Sequence, residues 1–171
     1  MKWKDVDVGA CDYYITATFT EWLPLFRRED IRRIVCEEIK RCLLDVNADL
    51  LAYVLMPDHL HILVLLPTDG LLHRFCRLWR GRSARRSIDV LTAEENEQLL
   101  QVLARHANGG NRYAVWKEQV RALAIWDERK LRAKADYIHA NPVRLGLVTV
   151  PEEWLFSSYR SYMQGRKIYM G

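Results

Sequence analysis

Two histidines stand in an unusual place. In "YVLMPDHLHILVLLP" (residues 53–67) an apolar run carries Asp58, His59 and His61 at its centre. Alternate strand residues share a face, so His59 and His61 point the same way, about 7 Å apart along the chain. Two imidazoles so placed can grip one metal ion, with Leu60 between them turned into the core. An isolated His-x-His is more often a hydrogen-bonded polar pair. The apolar flanks shift that balance, because a polar pair taken out of water inside such a run is costly unless it is used. Asp58 suits two roles: orienting a ligating imidazole from behind, or serving the turn that precedes the strand. The turn is preferred.

The second candidate lies far downstream, in "DYIHANPV". On a helix Tyr137 and Asn141 are i and i+4 and share one face. A tyrosine hydroxyl, with its ordinary pKa of about 10, is a poor nucleophile. It becomes useful against an electrophile polarised by a metal ion. Asn141 offers an amide oxygen as a third ligand. Taken alone, the segment reads as a helix with a buried aromatic stripe and an Asn-Pro stop. His139 should face away from the Tyr137–Asn141 side. With His73 and His106 it reads as incidental, and Glu118 is an acid in a strand-like run.

The third is a basic cluster: Arg74, Arg77, Arg80, Arg82, Arg85 and Arg86 fall within 13 residues, with Phe75 and Trp79 among them. Charge runs usually form a solvated helix face. Arginine in place of lysine, however, suits phosphate, which its planar fork meets with two hydrogen bonds. A phosphodiester held here would meet both the arginines and a metal on the adjoining strand.

These residues need a frame. Residues 11–22 read as a strand, 27–46 as an amphipathic helix, and 48–56 and 59–67 as a hairpin turning at Pro57-Asp58. Residues 70–91 read as a helix. Residues 92–107 read as a second one, opened by a Thr92/Glu95 capping box. The Asn108–Asn111 stretch reads as a turn and 112–125 as β-like. Residues 127–141 read as a helix that stops at Asn141 because Pro142 follows. An irregular aromatic tail closes the chain. The order predicts an α+β fold: a ferredoxin-like βαββαβ sandwich with an antiparallel sheet, the tyrosine helix and tail added after it.

The bulk numbers agree with one domain over residues 1–171. Half the residues are hydrophobic, 28% are charged and the net charge is +4. That composition excludes a disordered chain and allows an anionic partner. The four cysteines (Cys11, Cys36, Cys42, Cys76) form no C-x-x-C pair, "MKWKDVDVGA" lacks the apolar run of a secretory leader, and no stretch is long enough to span a membrane. The expectation is reduced thiols in a cytoplasmic protein.

The sequence resembles the HUH single-tyrosine transposases, in which two histidines flank a hydrophobic residue, and above all their REP-associated tyrosine transposase branch. The matching stretches are "YYITATFTEWLPLF", "YVLMPDHLHILV" (53–64), "VWKEQVRA" (115–122), "YIHANPVRLGLV" (137–148) and "WLFSSYRSY" (154–162). They follow in the expected order over nearly the whole chain. Segment 87–111 carries no family motif, and Asp58 stands where the family often has Asn or Glu.

The resemblance implies an enzyme that nicks and rejoins single-stranded DNA in transposition. His59, His61 and Asn141 would hold Mg²⁺ or Mn²⁺. Tyr137 would be the nucleophile, forming a 5′-phosphotyrosine. REP-type hairpin DNA would be held by Arg77, Arg80, Arg82, Arg85 and Arg86, with Arg74 beside them. It further implies a bacterial, nucleoid-associated protein, a monomer in preference to a homodimer. Two other readings stand beside it. One is an idle hairpin-binding module on the same fold. The other is an RNA phosphodiesterase, which would carry two His-x-His motifs where this chain has one.

Overall fold

The computed structural model describes residues 11–107 and 109–170. The leader expectation at residues 1–10 and one residue of the 108–111 turn lie outside them. Four strands form one antiparallel sheet: β1 (Cys11–Thr18), β2 (Asp49–Leu55), β3 (His59–Leu66) and β4 (Arg121–Ile125), in the order β2-β3-β1-β4. Helix α1 (Glu29–Asp45) joins β1 to β2. Helices α2 (Leu71–Ala93) and α3 (Glu97–Arg105) lie between β3 and β4. Helices α4 (Glu128–Arg144) and α5 (Tyr159–Met163) follow the sheet. This is the expected ferredoxin-like arrangement, with α3, α4 and α5 as additions.

Alternation sorts the strands onto two faces. Cys11, Tyr13, Ile15 and Ala17 of β1 join Leu60, Ile62, Val64 and Leu66 of β3 on one face. There they pack with Ile31, Val35 and Ile39 of α1 and Phe75 and Trp79 of α2. The other face is smaller. Ala52, Val54, Met56, Leu63 and Ile125 meet Ala135 and Ile138 of α4. β1 and β3 are in register with Thr16 opposite His61 and Thr18 opposite His59. That register puts both histidines on the α4 face. A one-residue slip would bury them under α1 and α2 instead.

Several boundaries differ from the sequence expectations. The first strand ends at Thr18, and Thr20–Trp22 form a tight 3-10 turn in which Glu21 and Trp22 have φ of 52° and 54°. Such left-handed values cost a non-glycine residue about 1–2 kcal/mol, which no strand propensity reveals. The last strand is only Arg121–Ile125. Before it, residues 112–120 run as a loop pinned to the end of β1 through Thr20 N–H to Val115 O and Lys117 N–H to Thr18 O, both 2.9 Å. The Thr92/Glu95 box does not form, because Thr92 sits in the last turn of α2. Asn96 caps α3 in its place, accepting from Leu99 N–H at 3.2 Å.

The largest difference is at Pro142. Helix α4 does not stop at Asn141 but runs on to Arg144. A proline inside a helix costs about 3 kcal/mol through a lost bond and a clash. Here it falls in the last turn, and the turn closes by other means. Leu147 N–H reaches Pro142 O and Gly146 N–H reaches Val143 O, both at 2.9 Å, with Gly146 at φ 66°. That is a Schellman ending, in which glycine takes the left-handed position at no steric cost. Burial of Asn141 and Pro142, and of Ile138 against the sheet, supplies the rest.

β2 is an edge strand, and the tail covers it. Leu55 N–H donates to Phe156 O (2.8 Å) and Ser158 N–H to Tyr53 O (3.0 Å). His139, far from incidental, is buried and hydrogen-bonded to Ser158 Oγ at 2.8 Å. It does face away from the Tyr137 side, as expected, and it anchors the tail to α4. Burial pushes its pKa down to about 4, so it sits neutral. All four cysteines are buried and unpaired. Among the described residues no helix is long and apolar enough to cross a membrane.

Candidate active site

The strand half of the site is held from behind. His59 Nδ1 lies 2.7 Å from Asp58 Oδ1. A carboxylate only accepts, so Nδ1 carries the hydrogen and the neutral ring keeps its lone pair on Nε2. The Asp58 carboxylate therefore orients the imidazole, while its backbone O accepts from Phe19 N–H at 2.9 Å and carries the β1–β3 pairing one step past Thr18. Asp58 thus lies in the bend between β2 and β3, the preferred reading, and its side chain takes the orienting role as well. His61 Nδ1 lies 2.8 Å from both Tyr14 Oη and Thr16 Oγ1. With Nδ1–H donating to one of these hydroxyls, His61 too presents Nε2. Burial, and with it the nearby Lys134 ammonium, pushes its pKa down to about 3, and a proton on His59 would push it the same way. A neutral imidazole is the form that ligates metal.

The helix half meets it on the same face of the sheet. The His59 and His61 ring centroids are 4.9 Å apart, and Tyr137 lies 5.9 Å from His61, edge-on. Residues 76 positions apart in sequence thus share one small volume. Asn141 is buried, and its Nδ2 donates to Tyr137 O at 2.9 Å. That bond fixes the amide and leaves Oδ1 as an acceptor. Two cations stand over the Tyr137 ring: Lys134 Nζ at 5.3 Å and Arg144 Cζ at 5.2 Å from its centroid. Tyr14 is a second phenol here, 6.2 Å from Tyr137. Its hydroxyl is committed to His61, and burial first, then Tyr137, push its pKa up to about 12, so it stays protonated near neutral pH.

Among the described residues no three His, Cys, Asp or Glu side chains converge as a metal site. A cation here would rest on two imidazoles and the Asn141 amide, with water and substrate oxygens filling its remaining positions. The two imidazoles suit such an ion, each anchored at Nδ1, and Asn141 keeps its Oδ1 as an acceptor. Imidazole nitrogen favours a first-row transition ion over Mg²⁺.

The arginine cluster divides in two. Arg82 pairs with Asp45 at 3.0 Å, and Arg86 with Glu37 and the buried Glu38, each at 2.8 Å. Arg80 donates to the Lys117 and Glu118 carbonyls. These three tie α2 to α1 and to the 112–120 loop. Arg74, Arg77 and Arg85 are exposed. Arg77 and Arg85 line a cleft of about 1080 Å³ between α2 and residues 109–122, joined there by His73, His106 and Lys117. The backbone O of Glu118 takes part in the loop's attachment, and the residue also lines this cleft. Sequence reading missed Tyr14, Thr16, Lys134 and Arg144. The alternation of "CDYYITAT" puts Tyr14 and Thr16 on one face, but only the strand register brings them to His61.

Fold and site together define a class: an α+β domain that sets a helical tyrosine against a strand-borne histidine pair. Residues 8–139 match the family described as "Transposase IS200 like", and the chain belongs to that family. The matched region includes His59, His61 and Tyr137 and ends before Asn141. A Haemophilus influenzae protein assigned as a REP-associated tyrosine transposase is 28% identical over 111 residues, 63% of this chain and 57% of that relative. The match thus spans little more than half of the relative's length. Among solved structures, a REP-associated tyrosine transposase bound to a REP hairpin superposes with a TM-score of 0.72 at 18% identity, over 98% of this chain and 88% of that one. A Deinococcus radiodurans protein assigned as a transposase gives 0.50 at 17% identity, over 81% and 95%. At these identities the likeness is one of fold.

Proposed function

We propose that this protein nicks and rejoins single-stranded DNA beside a hairpin, with Tyr137 as the nucleophile and a divalent cation at His59, His61 and Asn141. The observation that carries the reading is the meeting of Tyr137 with the anchored histidine pair. The family membership and the hairpin bound by the solved relative support the choice of DNA as substrate.

A cation so held would draw charge from a nonbridging oxygen of the scissile phosphate. Tyr137 Oη forms the new bond to phosphorus and gives up its proton, and the P–O3′ bond breaks. The departing 3′ oxygen takes up a proton, leaving a 3′-OH and a 5′-phosphotyrosine. The phosphodiester energy is kept, so attack by another 3′-OH rejoins a strand without a nucleotide cofactor. Lys134 and Arg144, over the tyrosine ring, offer positive charge to the phosphate. Single-stranded DNA fits, because a duplex holds its backbone out of reach of such a pocket. Arg77 and Arg85 with the cleft supply the hairpin grip. Tyr137 faces the histidines of its own chain, which favours a monomer acting in cis.

The test is a labelled strand carrying the hairpins that flank the gene, incubated with protein and Mn²⁺. Wild-type protein is expected to form a covalent adduct and Tyr137→Phe none. An adduct with Tyr137→Phe contradicts the assignment. Tight hairpin binding by wild-type protein with no nicking in any divalent ion would leave an idle binding module.

A further inference from the structure

A tryptophan beside the histidine pair has no role in the chemistry above. Trp22 is 57% exposed, and it sits in a turn where both it and Glu21 hold left-handed backbone. A bulky residue at positive φ persists only where its surroundings hold it. Here Trp22 N–H donates to Phe19 O (3.2 Å) and Leu23 N–H to Thr20 O (3.1 Å), and Thr20 N–H is tied to Val115 O. The turn is therefore built, and what it presents to solvent is an indole. That indole and the His59 ring stand edge-to-face, with centroids 6.5 Å apart at 83°. Lys117 Nζ rests 3.9 Å above the ring. Lys117 and Glu21 also line the cleft that holds Arg77 and Arg85. The indole thus lies between the arginine cleft and the His59 side of the nicking site.

We propose that Trp22 is a stacking platform for one unpaired nucleobase next to the scissile phosphate, and that Lys117 pairs with the phosphate flanking that base. The inference rests on the DNA-nicking reading and adds the element that sets the strand in register. An exposed aromatic beside a basic side chain is a combination single-strand binders use, and the base would stack on the indole face that Lys117 leaves open. Every base has a π-face, and the ammonium neutralises the adjoining backbone. Trp22 acts as a binding residue that positions the strand and takes no part in bond making.

The probe is a fluorescein-labelled hairpin from the DNA flanking the gene, with a single-stranded extension, together with a set in which one abasic site is walked along that extension. Binding and Mn²⁺-dependent nicking are measured for full-length wild-type, Trp22→Ala, Trp22→Phe and Lys117→Gln proteins. Trp22→Ala is expected to bind the intact extension about tenfold more weakly, with Trp22→Phe restoring most of the loss. At one abasic position wild-type and Trp22→Ala should become equal. Lys117→Gln should lower the slope of log affinity against log salt by about 1. Equal binding by Trp22→Ala and wild-type on the intact strand overturns the proposal. So does a loss that stays the same at every abasic position, which marks a role in folding alone. If wild-type protein neither binds nor nicks these strands, the nicking reading fails and takes this inference with it. If wild-type nicks and Trp22→Ala nicks equally well, only this inference fails.

Discussion

The two faces of the sheet are built on opposite terms. Beneath it, α1 and α2 seal a continuous apolar core, and the arginines facing that side are spent on Glu37, Glu38 and Asp45. Above it, α4 covers only one end with apolar side chains. The other end is a polar cluster of His59, His61, Tyr14, Thr16 and Tyr137, with the buried Asn141 bonded to the Tyr137 carbonyl. The lower face shows charge used for cohesion. The upper shows polar groups anchored on one side and left with a lone pair or hydroxyl on the other. A group that is held yet not fully consumed is what a site requires.

Substitutions on each face should therefore fail differently. The largest effect should come from His61→Ala: nicking in Mn²⁺ should fall roughly 10³-fold, with hairpin affinity within about twofold of wild-type. Loss of both would show that His61 is structural. Arg86→Ala, on the lower face, should do the reverse. Among the described residues it leaves the buried Glu38 carboxylate with one ion-pair partner, the exposed Arg41, 3.2 Å away. It should cost about 3 kcal/mol of unfolding free energy, below the upper end for broken buried pairs because Arg86 is partly exposed. Nicking by the folded fraction should be unchanged. Asp58→Ala should cut nicking or Mn²⁺ affinity about 10- to 100-fold, as expected when a ligand's orienting partner is removed, and barely move stability. Arg85→Ala should weaken hairpin binding by about 1 kcal/mol and leave stability untouched. An equal effect of Arg85→Ala and Arg86→Ala on DNA binding would erase the contrast drawn between the two sets of arginines.

Much of this frame was legible before the structure. Period-two alternation around Leu60 and the i, i+4 spacing of Tyr137 and Asn141 are local, and both came out as expected. So did the βαββαβ order, because the strand and helix signals are strong. What failed depended on partners distant in sequence. The strand-like runs at 19–22 and 112–120 pair only once, through Phe19 and Trp116, and elsewhere their backbone turns away from the sheet. The arginines of α2 look alike in sequence, since the acids that claim Arg82 and Arg86 lie on α1. Pro142 stopped the helix on local rules, and the Schellman ending with its buried neighbours outweighed them.

The central claim is that Tyr137, and no other phenol, takes up the DNA strand. Tyr14 stands close enough to compete. The direct measurement is peptide mapping by mass spectrometry of the covalent adduct formed on a flanking-hairpin strand in Mn²⁺, compared with the same reaction in EDTA. The expected result is a nucleotide-modified peptide that contains Tyr137, formed only with the metal ion present. Modification at Tyr14, or an adduct that forms equally in EDTA, would contradict the account.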